Sequence, residues 1–148
     1  QAHPGLAAVA RRRFLLQLRT SDLDWLGHVN NALYAEYLME ARVDLAYDFR
    51  GGSLTLPDLA TVVAEADITY KAPLHFRPEP VAIDTWVERI GHTSYTLGHE
   101  VLEPDGGTVY ATARTVMVQV DKSTARPRNI GDPFRLYLEQ FVDPDAPA

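Results

Sequence analysis

The chain has 148 residues, 46% of them hydrophobic, which fits one globular domain (1–148) with room for a buried core. Lys and Arg number 14 against 20 Asp and Glu, a net charge of −6 that gives no reason to expect nucleic acid as a partner. Cysteine is absent, which excludes disulfides, thiolate zinc sites and a cysteine nucleophile and fits a reducing, cytoplasmic setting.

No run approaches the roughly 18 apolar residues of a membrane helix. Residues 1–10 lack the charged-then-apolar plan of a secretory signal, and the Pro/Asp/Ala tail from 143 to 148 is expected to fray. Phe14, Leu16 and Leu18 alternate with Leu15, Gln17 and Arg19, which predicts a strand. From Asn31 to Phe49 the period changes: Tyr34, Tyr37, Leu38, Ala41, Leu45 and Phe49 fall three and four apart, which predicts a long helix ended by Gly51 and Gly52. Tyr34, Tyr37 and Tyr47 are read as core residues.

After Pro57 strands take over. Val62, Ala64, Ala66, Ile68 and Tyr70 predict a half-buried strand, and Pro73, Pro78 and Pro80 mark the loop after it. Val81, Ile83, Thr85 and Val87 form the next apolar face, Gly91 and His92 a short turn, and Tyr95, Leu97, His99 and Val101 a third face. Residues 108–120 are rich in β-formers. Their apolar side is read as shifting from Val109, Ala111 and Ala113 to Val116, Val118 and Val120, which predicts a bulge or strong coiling. Asp132 as cap and Pro133 at the first position predict a short last helix through Gln140. One strand, a long helix and four strands joined by short turns imply an α+β fold with a helix packed across an antiparallel sheet.

The densest chemistry lies at 22–32, where Asp22, Asp24, Gly27, His28, Asn30 and Asn31 precede the long helix. Such residues cap helices and build turns. They also build reaction sites, because a helix start offers unpaired N–H donors and a partial positive charge to a developing oxyanion. Glu36, Glu40 and Asp44 form a helix stripe, with Glu40 expected to pair with an arginine such as Arg42 or Arg114 or to contact a partner subunit. The stripe has no histidine at ligand spacing, and no metal site is expected.

The stretch from Ser21 to Tyr34, continuing through Tyr37, Glu40, Ala41 and Arg42, resembles acyl-CoA thioesterases of the 4-hydroxybenzoyl-CoA thioesterase type. It also resembles the motif of plant acyl-ACP thioesterases, although Leu26 stands where that motif has an Asn. Residues 65–74 and 91–95 resemble the strand and hairpin segments of the same family, and the likeness spans about 13–140. It implies the hot-dog fold, a long central helix wrapped by an antiparallel five-stranded sheet.

The resemblance implies Asp24 as general base or nucleophile, with a backbone N–H at Asn31 as oxyanion donor, helped by Asn30 or His28. His28 either polarises the carbonyl and assists proton transfer or is a structural histidine bonded to a backbone carbonyl. Gly27 lets backbone approach the substrate, and Asp22 is read as a turn or cap residue. Thr93 and Ser94 are candidate contacts across a subunit interface. Arg126 and Arg128, with Lys122, are candidate partners of the CoA phosphates. Acyl-CoA, or acyl-ACP in its place, is the expected partner, and CoA enters as part of substrate and product rather than as a cofactor. Self-association as a dimer or tetramer is implied as well. A hydratase or dehydratase of acyl thioesters, or a non-catalytic acyl-CoA-binding module, are the competing readings on the same fold.

Overall fold

The computed structural model describes residues 11–52 and 59–143, so Pro57, residues 1–10 and the tail beyond 143 lie outside the described residues. The elements run β1 (Arg12–Leu16), α1 (Tyr34–Phe49), β2 (Leu59–Tyr70), β3 (Val81–Ile90), β4 (Ser94–Leu102), β5 (Val109–Asp121) and α2 (Asp132–Glu139). The strands form one antiparallel sheet in the order β1-β3-β4-β5-β2. With α1 packed on it, this is the expected α+β hot-dog architecture.

The helical spacing does what it predicts. Tyr34, Tyr37, Leu38, Ala41 and Leu45 are all buried. The first four pack with Leu16, Leu18, Val81, Ile83 and Val101 of the loop side of the sheet. Leu45 meets Val87, Leu97 and Met117 together with Leu138 and Phe141 from the C-terminal segment. Each fully buried leucine of this kind contributes about 1.5–3 kcal/mol. Gly51 and Gly52 end α1 at positive φ, with the Gly52 N–H donating to the Tyr47 carbonyl at 2.9 Å. Tyr47 is not core: it is 46% exposed. The last helix starts one residue earlier than expected, with Gly131 as cap and Asp132 already in its first turn.

Two strand expectations need correction. β2 is exposed along most of its length rather than half-buried, Ile68 being one of its few residues packed against the core. It is the edge of the sheet, and its register shifts between Val63 and Glu65, which breaks the strict alternation. β5 does not change its apolar side. Its inner face runs Ala111, Ala113, Thr115, Met117, Gln119, all buried, and Val116, Val118 and Val120 are half-buried on the other face. Polar Thr115 and Gln119 stay inside because each is satisfied there. Thr115 Oγ1 lies 3.0 Å from His99 Nε2, and Gln119 donates to the Asn129 carbonyl at 2.9 Å.

His99 has no exposed surface and bridges Thr85 and Thr115 at 3.0 Å on either side. Burial, and then the charge of Arg42, pull its pKa from 6.5 down to about 3. On the opposite face Trp86 lies so close over Gly98 that a Cβ there would fall 2.3 Å from its ring, while Arg11 stacks at 4.1 Å from the ring centre.

Two outcomes are expected. Gly98→Ala forces backbone or Trp86 to move and should cost about 1–3 kcal/mol in a denaturant titration; an unchanged midpoint would contradict this packing. His99 takes up its proton in the unfolded chain well before the folded one. Stability should therefore fall as pH drops below about 6.5 towards 3, by at most roughly 1.4 kcal/mol per unit from this group. Unfolding of His99→Gln measured across that range should show a shallower slope than the parent.

Candidate active site

The site forms where β1 hands the chain to α1. A 3-10 turn at Thr20–Asp22 carries the chain off the sheet. Asp22, 1% exposed, is its anchor. Its carboxylate accepts the Tyr37 hydroxyl at 2.8 Å, the Arg19 N–H at 3.1 Å and the Arg19 guanidinium at 2.8 Å. Burial pushes the Asp22 carboxyl up, but the hydrogen bonds from Tyr37 and Arg19 outweigh it and hold it below the usual range. The Tyr37 hydroxyl moves the other way, raised by burial and by that same carboxylate. The Asp22 carbonyl also accepts the Asn30 N–H at 2.9 Å. One residue thus fixes the start of the loop, its end and the helix beside it. Its role is larger than that of a turn residue.

Between those anchors the chain folds back on itself. The Asp24 N–H donates to the His28 carbonyl at 2.7 Å, and the Asp24 carbonyl accepts from Gly27 at 3.1 Å. Oδ1 of Asp24 accepts the Leu26 N–H at 2.9 Å and the His28 N–H at 3.2 Å. Oδ2 has no hydrogen-bond donor among the described residues. The carboxylate is therefore oriented through one oxygen and open at the other. Gly27 is needed for its φ of +85°, not for space, since a Cβ there would meet nothing within 4 Å.

The end of the loop is tied to the segment after β2, where Val29 donates to the Leu74 carbonyl at 2.8 Å. The His28 and His75 rings meet edge to face at 4.6 Å. No backbone carbonyl receives the His28 ring among the described residues; its contact is the His75 ring. Asn30 caps the next turn, its Oδ1 accepting the Ala32 N–H at 3.0 Å. That turn, Asn31–Leu33, leads into α1. The Asn31 carbonyl accepts the Tyr70 hydroxyl at 3.0 Å, while the Asn31 N–H has no acceptor among the described residues.

Asp24, His28, Asn30 and Asn31 line one cavity of about 500 Å³, together with Tyr34, Tyr70, Lys71 and Leu74. An open carboxylate oxygen and an unpaired amide donor in one cavity can attack a carbonyl and hold the resulting oxyanion. Tyr70 and Lys71 escape sequence reading. Their signal is the break at Lys71–Ala72–Pro73, which stops β2 beside the loop. Burial raises the Tyr34 hydroxyl to about 12, so it stays a neutral phenol at physiological pH.

The structure does not bring the other candidates to this cavity. Ser94 pairs with Val118, whereas Tyr70 pairs with Ala111, seven residues along β5, or roughly 23 Å at 3.3 Å per residue. Thr93 lies at that far end, its carbonyl accepting the Gln119 N–H at 2.9 Å. Arg126 and Arg128 follow β5, exposed, with Arg128 paired to Asp121 at 3.2 Å. Glu40 is exposed and makes neither expected pair. Arg114 binds Glu88 at 2.8 Å, and of the stripe it is Asp44 that is paired with an arginine, Arg12 at 2.9 Å. Among the described residues no group of three or more His, Asp or Glu is placed to hold a metal ion.

A sequence model described as the thioesterase-like superfamily matches residues 18–138. The long-chain acyl-CoA thioesterase FadM of Escherichia coli is 32% identical over 129 residues, covering 86% of this chain and 96% of that protein. A solved structure of a predicted thioesterase from Bacillus stearothermophilus superposes with a TM-score of 0.80 at 28% identity, covering 90% of this chain and 97% of that one. A Pseudomonas aeruginosa protein shares the fold at a TM-score of 0.82 and 24% identity, over 91% and 94% of the two chains.

Removing the anchor should show in stability. Tyr37→Phe leaves a buried carboxylate one donor short and should cost about 1–3 kcal/mol near neutral pH. The Asp22 carboxyl is held low in the fold, so its contribution is present above the unfolded carboxylate pKa and is lost as pH falls through the folded value. The gap between parent and Tyr37→Phe in urea unfolding should therefore close in acid; a gap that does not change with pH would contradict the assignment.

Proposed function

The chain belongs to the thioesterase-like superfamily, and from that premise we propose that it is an enzyme that hydrolyses acyl-CoA thioesters to a free acid and CoA. The observation that carries this reading is the shared cavity of Asp24, with its open Oδ2, and the unpaired Asn31 N–H. The similarity to the Escherichia coli acyl-CoA thioesterase supports acyl-CoA as the thioester. We place the chain with the 4-hydroxybenzoyl-CoA thioesterase type, because Leu26 interrupts the plant-type arrangement and leaves Asp24 as the working carboxylate.

Two routes use that carboxylate. As a general base, Asp24 takes a proton from water while the water oxygen attacks the thioester carbon; the C–S bond then breaks and the thiolate leaves with a proton. As a nucleophile, Asp24 attacks the carbon itself, expels the thiolate and forms a mixed anhydride that water cleaves. In both, negative charge collects on the former carbonyl oxygen, and the Asn31 N–H at the start of the helix stabilises it. His28 lines the same cavity and polarises the carbonyl or passes a proton to the leaving thiolate. No cofactor enters either route.

The working unit is proposed to be a pair of chains, alone or doubled into a tetramer. β2 is an edge strand of twelve residues whose Val62 and Val63 are each 46% exposed, a surface that invites a second strand. Antiparallel pairing of two β2 strands about Ala66 sets Val62 of one copy beside Tyr70 of the other. The far-end residues Thr93, Ser94, Arg126 and Arg128 of one copy then approach the Asp24 cavity of its mate, where the arginines meet the CoA phosphates. The chain is read as one domain with its core at about 13–140, and the absence of cysteine fits a cytoplasmic setting. Among the described residues no helix is long and apolar enough to cross a membrane.

Thiol release from short, long and aromatic acyl-CoAs tests the proposal. The parent should release CoA from at least one class, and Asp24→Ala and Asp24→Asn should lose at least about a hundredfold; Asp24→Asn keeps an Oδ1 acceptor for the Leu26 and His28 N–H groups and should melt near the parent's temperature. Release that survives both variants would move the working carboxylate elsewhere, with Glu40 next to be mutated. No release from any acyl-CoA would favour an acyl-ACP substrate, a hydratase or a binding module.

A further inference from the structure

Tyr34 stands among three other tyrosines behind the Asp24 cavity. Its ring lies 5.7 Å from that of Tyr37 and 5.2 Å from that of Tyr70, and Tyr110 joins them from β5. Three of the four hydroxyls are committed. Tyr37 donates to Asp22 at 2.8 Å, Tyr70 to the Asn31 carbonyl at 3.0 Å and Tyr110 to Glu103 at 2.5 Å. The Tyr34 hydroxyl makes no hydrogen bond among the described residues. Tyr34 is 2% exposed, yet it lines the cavity with Asp24, His28 and Asn31. The fully enclosed side-chain polar atoms that lack a partner do not include its hydroxyl, so that oxygen is reachable, and the opening beside it is the cavity.

A buried hydroxyl without a partner is costly, and the cost falls when an acceptor arrives. Position says where that acceptor sits. Tyr34 comes three residues after Asn31, and its N–H donates to the Asn31 carbonyl. A helical side chain leans towards the N-terminus and covers the turn before its own Cα. For Tyr34 that turn begins at Asn31, whose N–H has no acceptor among the described residues. One turn of chain thus offers two uncommitted donors to one cavity. A carbonyl oxygen has lone pairs for both. Burial first, then the neighbouring Tyr70 and Tyr110, push the Tyr34 phenol up to about 12, so it donates and keeps its proton.

We propose that the Tyr34 hydroxyl donates to the thioester carbonyl oxygen beside the Asn31 N–H, so that the oxyanion is held by two donors. The proposal deepens the hydrolysis reading and rests on it. Tyr34 is then a catalytic residue as well as a core one. Its ring holds α1 against the sheet, and its hydroxyl serves the reaction. No covalent bond forms or breaks at the phenol. Its hydrogen bond strengthens as negative charge collects on the carbonyl oxygen.

Tyr34→Phe removes the hydroxyl and keeps the ring. With an acyl-CoA that the parent hydrolyses, kcat should fall about a hundredfold, the low end for a lost oxyanion donor, while KM stays near the parent's. The variant should melt at or above the parent's temperature, unlike Tyr37→Phe, because no hydrogen bond of the fold is lost. A kcat within about threefold of the parent's would overturn the proposal. So would a lower kcat accompanied by a clear drop in melting temperature, since the hydroxyl would then serve the fold. A second readout needs no turnover. An acyl-CoA analogue with a methylene in place of the sulfur, isotope-labelled at its carbonyl, is bound to the full chain. Its carbonyl infrared band should lie lower on the parent than in water and rise again on Tyr34→Phe. The parent band carries the test if Tyr34→Phe does not fold, and a band no lower than in water would overturn the proposal. Thiol release by the parent with a band that Tyr34→Phe leaves unmoved would sink this proposal and leave the hydrolysis reading standing. A band sensitive to Tyr34 on a parent that releases no thiol would sink hydrolysis and keep the donor. A parent that neither releases thiol nor binds the analogue would sink both.

Discussion

A buried carboxylate on which three chain segments converge is the constraint on which the site depends. Asp22 holds the Arg19 backbone and guanidinium, the Tyr37 hydroxyl of α1 and, through its carbonyl, the Asn30 N–H. Leaving that carboxylate buried without its donors would cost about 1–3 kcal/mol for each partner lost. The loop between them is therefore not free to choose its path. Residues 23–29 must close a short excursion that starts and ends at fixed points. Asp24 closes it by accepting two backbone N–H groups on one oxygen, which orients the other oxygen without using it. The same bonds that cap the turn pre-organise the carboxylate.

The helix start answers the same constraint from the other side. With Asn30 pinned by Asp22 and its side chain spent on Ala32, the Asn31 N–H is left without an acceptor among the described residues, at the position where a helix start leaves its N–H groups unpaired. Tyr70 reaches across from β2 to hold the Asn31 carbonyl, and its ring packs edge to face on Tyr34 at 5.2 Å. The sheet thus contributes to aligning an amide that belongs to the helix. Capping and oxyanion binding, weighed as rivals from the sequence, do not compete: the atoms that cap the turn leave the Asn31 N–H proposed as oxyanion donor uncommitted among the described residues.

The fold was legible because periodicity reports burial. The helical spacing of α1 and the turns at Gly51–Gly52 and Gly91–His92 carry it. β2 misleads because an edge strand has the composition of a half-buried strand whatever covers it. β5 misleads because Thr115 and Gln119 look like outward residues until His99 and the Asn129 carbonyl are seen beside them. Asp24, His28, Asn30 and Asn31 could be found together since eight residues of sequence carry them all. Tyr70 and Lys71 could not, because they arrive from a strand about forty residues away. Glu40 was expected to pair because spacing on a helix shows which residues share a face but not which partners face it.

In the proposed mechanism a thioester carbonyl is held between Asp24 and the Asn31 N–H. The most direct measurement is a crystal structure of the Asp24→Asn protein with an acyl-CoA analogue in which a methylene replaces the sulfur and the carbonyl is retained. The carbonyl oxygen should lie about 2.7–3.1 Å from the Asn31 nitrogen, with the carbonyl carbon facing the residue 24 side chain. A carbonyl bound away from both, for instance beside Glu40, would contradict it.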